Sequence, residues 1–308
     1  MNLRQQRRVG LVTLWYRAAA TIDRFVDELH ALRYSAVRPV FVINSLAAAD
    51  VERLRDRVPE ALVLEPGANL GTAAGWNLAI RHLLDEGVDV VGTWNVDTRF
   101  DRDCVTKLVD LLEGSPEIGA CQPLVCDFDT PRRVQMFGGS LDLSTGRARH
   151  DFSGADVCDA LPALRDAEYL DGGCMFLRAE VLRSVGGFDE RFYMYAEDCD
   201  LSVRVRRAGY RTVALRDARV WHERREDRTH LPPPHEVFYR TRNRYFLLRK
   251  YASRRALRLE SARGLLWDMP RSALFYVRRG RFDLAQAHTS GLLNGVAGRF
   301  GKHGWVND

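Results

Sequence analysis

The chain lacks the long apolar runs and patterned cysteines that mark several common classes of protein. No segment of its 308 residues approaches the ~18 uncharged apolar residues of a membrane-spanning helix. The N-terminus is positively charged but has no apolar run ahead of a cleavage site, so no signal peptide is predicted. The six cysteines show no CxxC or zinc-finger spacing, which favours reduced thiols in a cytoplasmic protein over a disulfide framework.

Acidic residues are scarce toward the C-terminus, and this part of the chain is strongly basic. Residues 226–308 carry 16 Lys and Arg against 7 Asp and Glu, although the whole chain has a net charge of only +5. Such segments attract nucleic acid, anionic lipid or phosphorylated substrates, and a solvated helix surface explains them equally well. Charge alone therefore leaves the partner of this segment open.

The first 126 residues alternate between short apolar runs and stretches with helical periodicity. This alternation predicts an α/β fold with a Rossmann-like, mostly parallel central sheet and helices on both faces. The predicted strands are 9–14, 37–43, 61–64, 88–95 and 118–125, and the predicted helices are 21–33, 47–58, 72–86 and 102–113.

The pattern weakens between residues 130 and 166, where turn residues indicate a hairpin followed by a mobile loop. A Pro-Pro-Pro linker at 232–234 precedes a helical C-terminal extension. Between them we predict strands at 169–177, 211–215 and 219–221 and helices at 179–184 and 201–208.

Ligands of such a sheet bind beyond the carboxyl ends of its strands. This rule draws attention to residues 13–17, 44–45, 69–75 and 95–98. The loop at 69–71 is neither a GxGxxG fingerprint nor a P-loop. Its glycine still permits a close backbone approach to a ligand at a helix start.

Asp97 ends the fourth predicted strand, where a metal ion or a diphosphate would bind. Mg²⁺ and Mn²⁺ prefer oxygen ligands, and one or two carboxylates suffice when phosphate supplies the rest. His222 is a candidate second ligand, provided that the fold brings it beside Asp97. The alternative interpretations are that Asp97 caps a turn and that His222 is a structural histidine.

Three carboxylates, Glu197, Asp198 and Asp200, lie within four residues at the start of a predicted helix. The free N–H groups and the dipole of a helix N-terminus stabilise anions there. They also direct a carboxylate out of the helix end, which is the position that a general base needs.

The order and spacing of these motifs resemble those of the family 2 glycosyltransferases, which have a GT-A fold, and especially their rhamnosyltransferase-like branch. The resemblance covers about residues 9–250, and 172–210 is its most specific part. The matching segments are Val12-Thr13, Asn69-Leu70-Gly71 with Gly75-Trp76-Asn77, Asn95-Val96-Asp97-Thr98, Gly172-Gly173, residues 186–192, residues 197–201, Gly209-Tyr210, His222 and Arg242-Asn243.

The resemblance implies a role for each motif. Asp97 and His222 would bind a divalent cation, Mn²⁺ or Mg²⁺, on the diphosphate of a nucleotide sugar. Asp198 would be the general base, and Glu197 would shape its environment. The acceptor site would consist of Asp171, Gly172 and Gly173, and the nucleotide-sugar site of Thr13, Asn44, Asn69, Gly71, Asn95 and Asp97.

The implied reaction is an inverting single displacement in which a carboxylate deprotonates the acceptor hydroxyl and a metal neutralises the leaving diphosphate. The expected donor is dTDP-rhamnose or a UDP-sugar, and the acceptor is a glycan, a lipid-linked glycan or a small molecule. Ile43 stands where the family usually has Asp, and Trp15, Tyr16 and Arg17 occupy a region that tends to contain Asn. UDP, dTDP and GDP therefore all stay open.

We predict a catalytic domain at residues 1–230 and a basic helical extension at 231–308. The nucleotide-sugar half of the domain would span about 1–126, and the acceptor half about 127–230. We expect a cytoplasmic protein with no nucleic-acid partner. Peripheral contact of the extension with the inner face of the membrane stays open, as does a homodimer.

Two other functions compete with this interpretation. A sugar-1-phosphate nucleotidyltransferase also uses an α/β sheet, a metal and a diphosphate, but it should have a Gly-rich basic loop after the first strand. Residues 14–18 contain no glycine. A non-catalytic protein that binds nucleic acid or membrane through its basic segment leaves the acidic clusters without a role.

Overall fold

The first half of the chain folds as alternating strands and helices. The structure is a computed structural model and describes residues 6–223 and 231–305. Every strand and helix predicted for the first 126 residues is present, with ends that differ by a few residues. The elements are β1 (Val9–Tyr16), α1 (Ile22–His30), β2 (Val37–Ser45), α2 (Ala48–Arg57), β3 (Leu62–Leu64), α3 (Gly71–Asp85), β4 (Val90–Thr93), β5 (Thr98–Phe100), α4 (Cys104–Gly114) and β6 (Ile118–Asp127).

The second half is less regular, and three predictions need correction. The strand predicted at 169–177 is shorter and covers only Phe176–Arg178 (β11), because a turn at Gly172 and Gly173 occupies the first part of that segment. The strands predicted at 211–215 and 219–221 are one strand, β12, with an irregularity after Leu215. A short strand at Leu164–Asp166 (β10) lies at the end of the segment that was predicted to be a mobile loop. The elements are β7 (Val134–Met136), β8 (Gly139–Asp142), β9 (Arg147–His150), β10 (Leu164–Asp166), β11 (Phe176–Arg178), α5 (Ala179–Val185), α6 (Glu197–Arg207) and β12 (Arg211–His222).

The central sheet is parallel in its first half and mixed in its second. Strands β3, β2, β1 and β4 are parallel neighbours. Strand β11 runs antiparallel between β4 and β6, and β12 runs parallel to β6. Strand β5 pairs antiparallel with the end of β12 and aligns Thr98 with His222. This last pairing brings two distant parts of the chain together at one edge of the sheet.

Successive residues of β1 enter two apolar cores on opposite faces of the sheet. Leu11 belongs to the core that α1, α2 and α4 cover, and Val12 to the core that α3, α5 and α6 cover. Trp15 and Phe25 pack edge to face in the first core, with ring centroids 5.2 Å apart. Helices therefore cover both faces, as the α/β pattern predicts.

The basic extension is helical, as predicted. Helix α7 is buried on most sides, and its Phe246 packs on Phe192, with ring centroids 4.4 Å apart. Gly291 of α10 allows a close crossing, because a Cβ there would lie 2.6 Å from the Phe238 carbonyl oxygen. The predicted domain boundary lies between residues 230 and 231. It therefore falls at the end of the segment 224–230, which is outside the described residues. The helices are α7 (Pro234–Tyr251), α8 (Arg254–Arg263), α9 (Met269–Val277) and α10 (Phe282–Ala297), with a wider helical turn at Gly264–Asp268 between α8 and α9.

In the segments 6–223 and 231–305, no helix has both the length and the apolar composition needed to cross a bilayer.

Candidate active site

A cleft of about 2000 Å³ collects most of the residues that the sequence predicts to be functional. Its walls come from the turn before α3, the end of β4, the turn before β11, the start of α6 and the β8–β9 hairpin. The predicted site residues that line it are Asn44, Asn69, Gly71, Asn95, Asp97, Asp171, Gly172, Gly173, Glu197 and Asp198.

Asn44 and Asn69 shape the turn between β3 and α3. Asn44 accepts a hydrogen bond from Leu70 N at 3.2 Å and donates through Nδ2 to the Gly71 carbonyl at 3.2 Å. The Asn69 side chain accepts from Gly71 N at 3.0 Å. Both asparagines are buried. They therefore fix the backbone of this wall of the cleft.

Gly71 makes its close approach to the chain itself. Its φ is +74°, and a Cβ there would lie 2.6 Å from the carbonyl oxygen of Tyr193. The same carbonyl accepts hydrogen bonds from Thr72 N at 2.8 Å and Ala73 N at 3.2 Å. The backbone N–H groups of Thr72 and Ala73, at the start of α3, therefore donate to the turn that precedes α6. The sequence had suggested a ligand at this helix start.

Asp97 and His222 meet because β5 pairs with the end of β12. Asp97 Oδ1 lies 3.4 Å from His222 Nε2. Gln135 orients the imidazole, since its Oε1 is 3.0 Å from Nδ1 and its Nε2 donates to the His222 carbonyl at 2.8 Å. The fold therefore satisfies the condition on which the two-ligand prediction depends.

The Asp97–His222 pair fits a divalent cation. Asp97 Oδ1 is buried and makes no hydrogen bond within the described residues. Burial acts to raise the pKa of Asp97, but the neighbouring His222 imidazole, with a smaller effect of Arg24, outweighs burial and lowers the pKa. No group of three His, Cys, Asp or Glu residues in 6–223 and 231–305 could hold a metal. A cation here would therefore take its remaining ligands from phosphate or water.

The turn at Gly172 and Gly173 has room for glycine only. A Cβ on Gly172 would lie 2.9 Å from the Trp76 ring, and one on Gly173 would lie 2.5 Å from Asn95 Nδ2. Asp171 stabilises the turn, because its Oδ1 accepts from Gly173 N at 2.8 Å. Asn95 N donates to the Gly173 carbonyl at 3.0 Å. The end of β4 is thereby joined to the predicted acceptor site.

Glu197 and Asp198 open helix α6. Glu197 is buried, and its Oε2 makes no hydrogen bond among the described residues. Asp198 is half-buried and lines the cleft. It accepts hydrogen bonds from Cys199 N at 2.7 Å and Gly172 N at 3.2 Å. These bonds aim a carboxylate at the floor of the cleft.

The two carboxylates have raised pKa values. Burial, followed by the charge of Asp198, raises the pKa of Glu197 well above its usual range. Burial and the nearby charge of Asp171 raise the pKa of Asp198 to about 6, although two backbone N–H groups oppose the change. Asp198 is therefore a stronger base than an ordinary aspartate and is still ionised at neutral pH.

Asp200, the third carboxylate of the cluster, has a structural role. It is fully buried and pairs with Arg204 at 2.8 Å and with Lys250. Tyr251 donates to it at 2.6 Å. Asp200 therefore joins α6 to α7 and does not line the cleft.

The turn before α6 has an unusual backbone conformation that the sequence did not reveal. Tyr193, Tyr195 and Ala196 have φ values of 67°, 65° and 68°, which residues other than glycine rarely adopt. Asn243 of α7 is fully buried and donates to carbonyl groups of this turn. The Arg242-Asn243 pair belongs to the family pattern, but the sequence carried no indication of what it contacts.

Several arginines that were not predicted to be site residues also line the cleft. Arg244 is held by the Thr145 carbonyl at 2.7 Å and by an ion pair with Glu260. Arg147 and Arg149, two exposed residues of β9, make no ion pair within the described parts of the chain. The alternation of arginine at positions 147 and 149, directly after a turn, is the feature of the sequence that could have indicated them. The arginines of the cleft are Arg147, Arg149, Arg240, Arg244 and Arg263.

Two predicted site residues do not line the cleft. His222 does not line the cleft itself, but its imidazole contacts Asp97, which does. Thr13 is 1% exposed within β1, and its strand neighbour is Phe41 of β2. The structure therefore does not bring Thr13 into the site, because it lies inside the strand and not at its end.

Comparisons with known proteins agree with this architecture. The family model described as glycosyl transferase family group 2 matches residues 95–293. Over 254 residues, the chain is 29% identical to the N-acetylglucosaminyl-diphospho-decaprenol L-rhamnosyltransferase of Mycobacterium tuberculosis, an alignment that covers 74% of this chain and 82% of that protein.

Two solved structures share the fold. The mannosyltransferase PcManGT from Pyrobaculum calidifontis, solved with GDP-Man and Mn²⁺, has a TM-score of 0.56 and 17% identity over 95% of this chain and 88% of its own. GalNAc-T7, solved with UDP, GalNAc and Mn²⁺, has a TM-score of 0.58 and 13% identity over 73% of this chain and 45% of its own. These neighbours confirm the GT-A fold. Since the family model covers more than half of the sequence, this rhamnosyltransferase-like chain belongs to glycosyl transferase family group 2.

Proposed function

We propose that the protein transfers a sugar from a nucleoside-diphosphate sugar to an acceptor hydroxyl, with inversion at the anomeric carbon. The observation that carries the proposal is the position of Asp198, a half-buried carboxylate with a raised pKa that lines the same cleft as Asp97. A hydroxyl is a poor nucleophile until a base removes its proton. Asp198 would take that proton as the hydroxyl oxygen attacks.

Asp97 and His222 would hold a divalent cation with the donor diphosphate. The buried Asp97 Oδ1 without a hydrogen bond and the adjacent imidazole support this assignment. When bound, the cation would neutralise charge on the diphosphate as it leaves. Asn44, Asn69 and Gly71 would shape the nucleotide end of the cleft, where their hydrogen bonds hold the backbone.

Gly172 and Gly173 would form the floor under the acceptor. The lack of a side chain at Gly172 lets its backbone pack closely against Asp198 and the Trp76 ring, and Gly172 N holds the carboxylate in place at 3.2 Å. Glu197 is buried next to Asp198 and would influence the ionisation of the Asp198 carboxylate. Burial and the charge of Asp198 raise the pKa of Glu197 well above its usual range, which disfavours a second negative charge next to the base.

For the donor we propose an L-rhamnosyl nucleotide, with dTDP-rhamnose ahead of UDP-sugars. The similarity to a mycobacterial L-rhamnosyltransferase supports this choice. That relative acts, by its name, on an N-acetylglucosaminyl-diphospho-decaprenol, and Arg147 and Arg149 would suit a diphosphate in the acceptor. We therefore propose a lipid-linked glycan as the acceptor.

The test is a transfer assay with purified protein, Mn²⁺, a panel of nucleotide sugars and a glycosyl-diphospholipid acceptor. Product mass and the anomeric configuration by NMR identify the sugar and the stereochemistry. Asp198→Asn should bind donor normally and lose about 10²–10⁴ in turnover. The matched control is Asp89→Asn, since Asp89 lies beside the amino end of β4, at the opposite edge of the sheet. Retention of configuration, or full turnover by Asp198→Asn, would exclude the proposed mechanism.

A further inference from the structure

The C-terminal helices expose large apolar side chains that the catalytic cleft does not use. Among the described residues, the exposed large hydrophobic side chains all lie between Leu259 and Leu293, apart from Tyr16 and Phe152. Leu266 is 78% exposed and Trp267 is 59% exposed. Concentration of such side chains in one segment marks a site of interaction with another surface.

These side chains lie along one helical run. Helix α8, the wider turn at Gly264–Asp268 and α9 follow one another without a break from Arg254 to Val277. Leu259, Leu266 and Leu274 are separated by seven and eight residues, or about two helical turns each, so they share one side of the run. Trp267 and Phe275 stand next to two of these leucines. We call these five residues the apolar stripe.

Uncompensated positive charge accompanies the apolar stripe. The acidic residues of the run, Glu260 and Asp268, pair with Arg244 and Arg263. Two guanidinium groups lie over the exposed rings, Arg271 over Trp267 at 5.2 Å and Arg279 over Phe275 at 3.8 Å. The arginines of this segment without an ion pair inside the described ranges are Arg254, Arg255, Arg258, Arg271, Arg278 and Arg279.

We propose that residues 254–282 bind the surface of an anionic lipid bilayer. The apolar stripe would enter the boundary between headgroups and acyl chains, and the arginines would contact lipid phosphates. An amphipathic helix with aromatic and basic residues binds membranes in this way, lying in the plane of the interface. The interaction is peripheral and needs no membrane-spanning helix.

Charge favours a bilayer over a second copy of the chain. A symmetric dimer through this surface would bring the same patch of both subunits together. The unpaired arginines would then face one another, and like charges across an interface oppose association. An anionic bilayer supplies the opposite charge together with an apolar interior.

The surface lies close to the cleft. Arg263 of α8 lines the cleft, and the ion pair between Glu260 of α8 and Arg244 of α7 holds the two helices together. Docking would therefore hold the cleft near the bilayer, where a lipid-linked molecule resides. The binding itself does not depend on the proposed reaction, since lipid binding is measured without donor or acceptor.

The experiment is flotation of the full-length protein with vesicles of phosphatidylcholine, alone or mixed with phosphatidylglycerol, at low and high salt. An apolar variant carries Leu266→Ser, Trp267→Ser and Phe275→Ser. A charge variant carries Arg254→Gln, Arg255→Gln and Arg258→Gln. The matched controls are Phe152→Ser, an exposed aromatic elsewhere, and Arg53→Gln with Arg55→Gln and Arg57→Gln on α2.

We expect the wild type and both controls to float with the mixed vesicles, with weaker flotation at high salt. The apolar and charge variants should bind at least about tenfold more weakly. Their melting temperatures should match the wild type, because the replaced side chains are exposed. Equal flotation of the apolar variant, or no flotation of the wild type, overturns the proposal. If light scattering finds a dimer that the apolar variant dissociates, the surface is a subunit interface and not a membrane site.

Discussion

The side-chain amide of Asn243 donates to the carbonyl of Tyr195 at 2.7 Å. The same nitrogen lies 2.7 Å from the Met194 carbonyl and 3.0 Å from the Phe192 carbonyl. Arg242 holds the other end of the amide, since its Nε donates to Asn243 Oδ1 at 2.9 Å. One side chain of α7 thus determines the path of the backbone immediately before α6 and Asp198.

Asn243→Asp should reduce turnover more than it reduces donor binding. A carboxylate keeps the size and the bond from Arg242, but it cannot donate to the three carbonyls of the turn. The left-handed backbone of the turn would relax, and the Asp198 carboxylate would no longer be held in its position. We expect kcat to fall by about 10–100-fold with a small change in donor KM, because a misplacement near 1 Å can cost that much. Steady-state kinetics measures both.

The control for that prediction is Leu292→Ala, which removes buried packing between α10 and α7. It should cost about 2–5 kcal/mol of stability and leave kcat unchanged below its melting temperature. Similar kcat losses in both variants would mean that Asn243 acts only through stability. Unchanged kcat in Asn243→Asp would remove its positioning role.

Periodicity in the sequence was enough to predict most of the framework. Apolar runs and helical stripes depend on local residue order, so the alternation through β6 could be read directly. Thr13 shows the limit of this approach. The strand was predicted correctly, but its carboxyl end lies three residues further on, at Tyr16, so Thr13 is covered inside the strand.

Contacts between distant segments were harder to predict. The pairing that joins Thr98 to His222 links strands separated by more than a hundred residues. From the sequence, the proximity of His222 to Asp97 could be stated only as a condition. The turn before α6 was not predictable because tyrosine and alanine give no sign of positive φ. Gly71 was predicted to be a site of close approach, and nothing in the sequence indicated that the Tyr193 carbonyl is one of the groups it approaches.

The activity should depend on pH through Asp198, and Asp171 should control that dependence. The base must be ionised, and its pKa is raised to about 6. Turnover should therefore be level above that pH and fall as the pH drops through it. Asp171→Asn removes a neighbouring negative charge while its Oδ1 can still accept from Gly173 N. The pKa of Asp198 should fall, and the acid limb of the kcat profile should move to lower pH.

The measurement is the kcat–pH profile of both proteins at saturating donor and acceptor. Glu168→Gln, on the same wall of the cleft but not among the groups that shift Asp198, serves as the control. A limb that stays in place in Asp171→Asn, or that moves to higher pH, contradicts the assignment of Asp198 as the titrating base.

Asp97 and His222 should couple metal binding to nucleotide binding. Mn²⁺ with UDP or dTDP should raise the melting temperature more than nucleotide alone, because a ligand that binds only the folded state stabilises it. Asp97→Ala should abolish the Mn²⁺-dependent increment, and His222→Ala should reduce it. His82→Ala, on α3, is the histidine control. An unchanged increment in Asp97→Ala would place the cation elsewhere, and full activity in excess EDTA would exclude a metal requirement.

Arg147 and Arg149 should determine the affinity for a phosphorylated acceptor. Both line the cleft from β9, and their ion-pairing capacity is unused within the described residues, so a diphosphate could take up both guanidinium groups. The double substitution to Gln should raise the acceptor KM by about tenfold or more, since the loss of even one charge-assisted hydrogen bond costs about 1.5–3 kcal/mol. Donor KM should not change. Arg132→Gln with Arg133→Gln, outside the residues that line the cleft, is the matched control. If the acceptor KM is unaffected, or if a neutral acceptor suffers the same loss, the hairpin does not recognise phosphate, and a soluble uncharged glycan becomes the better acceptor.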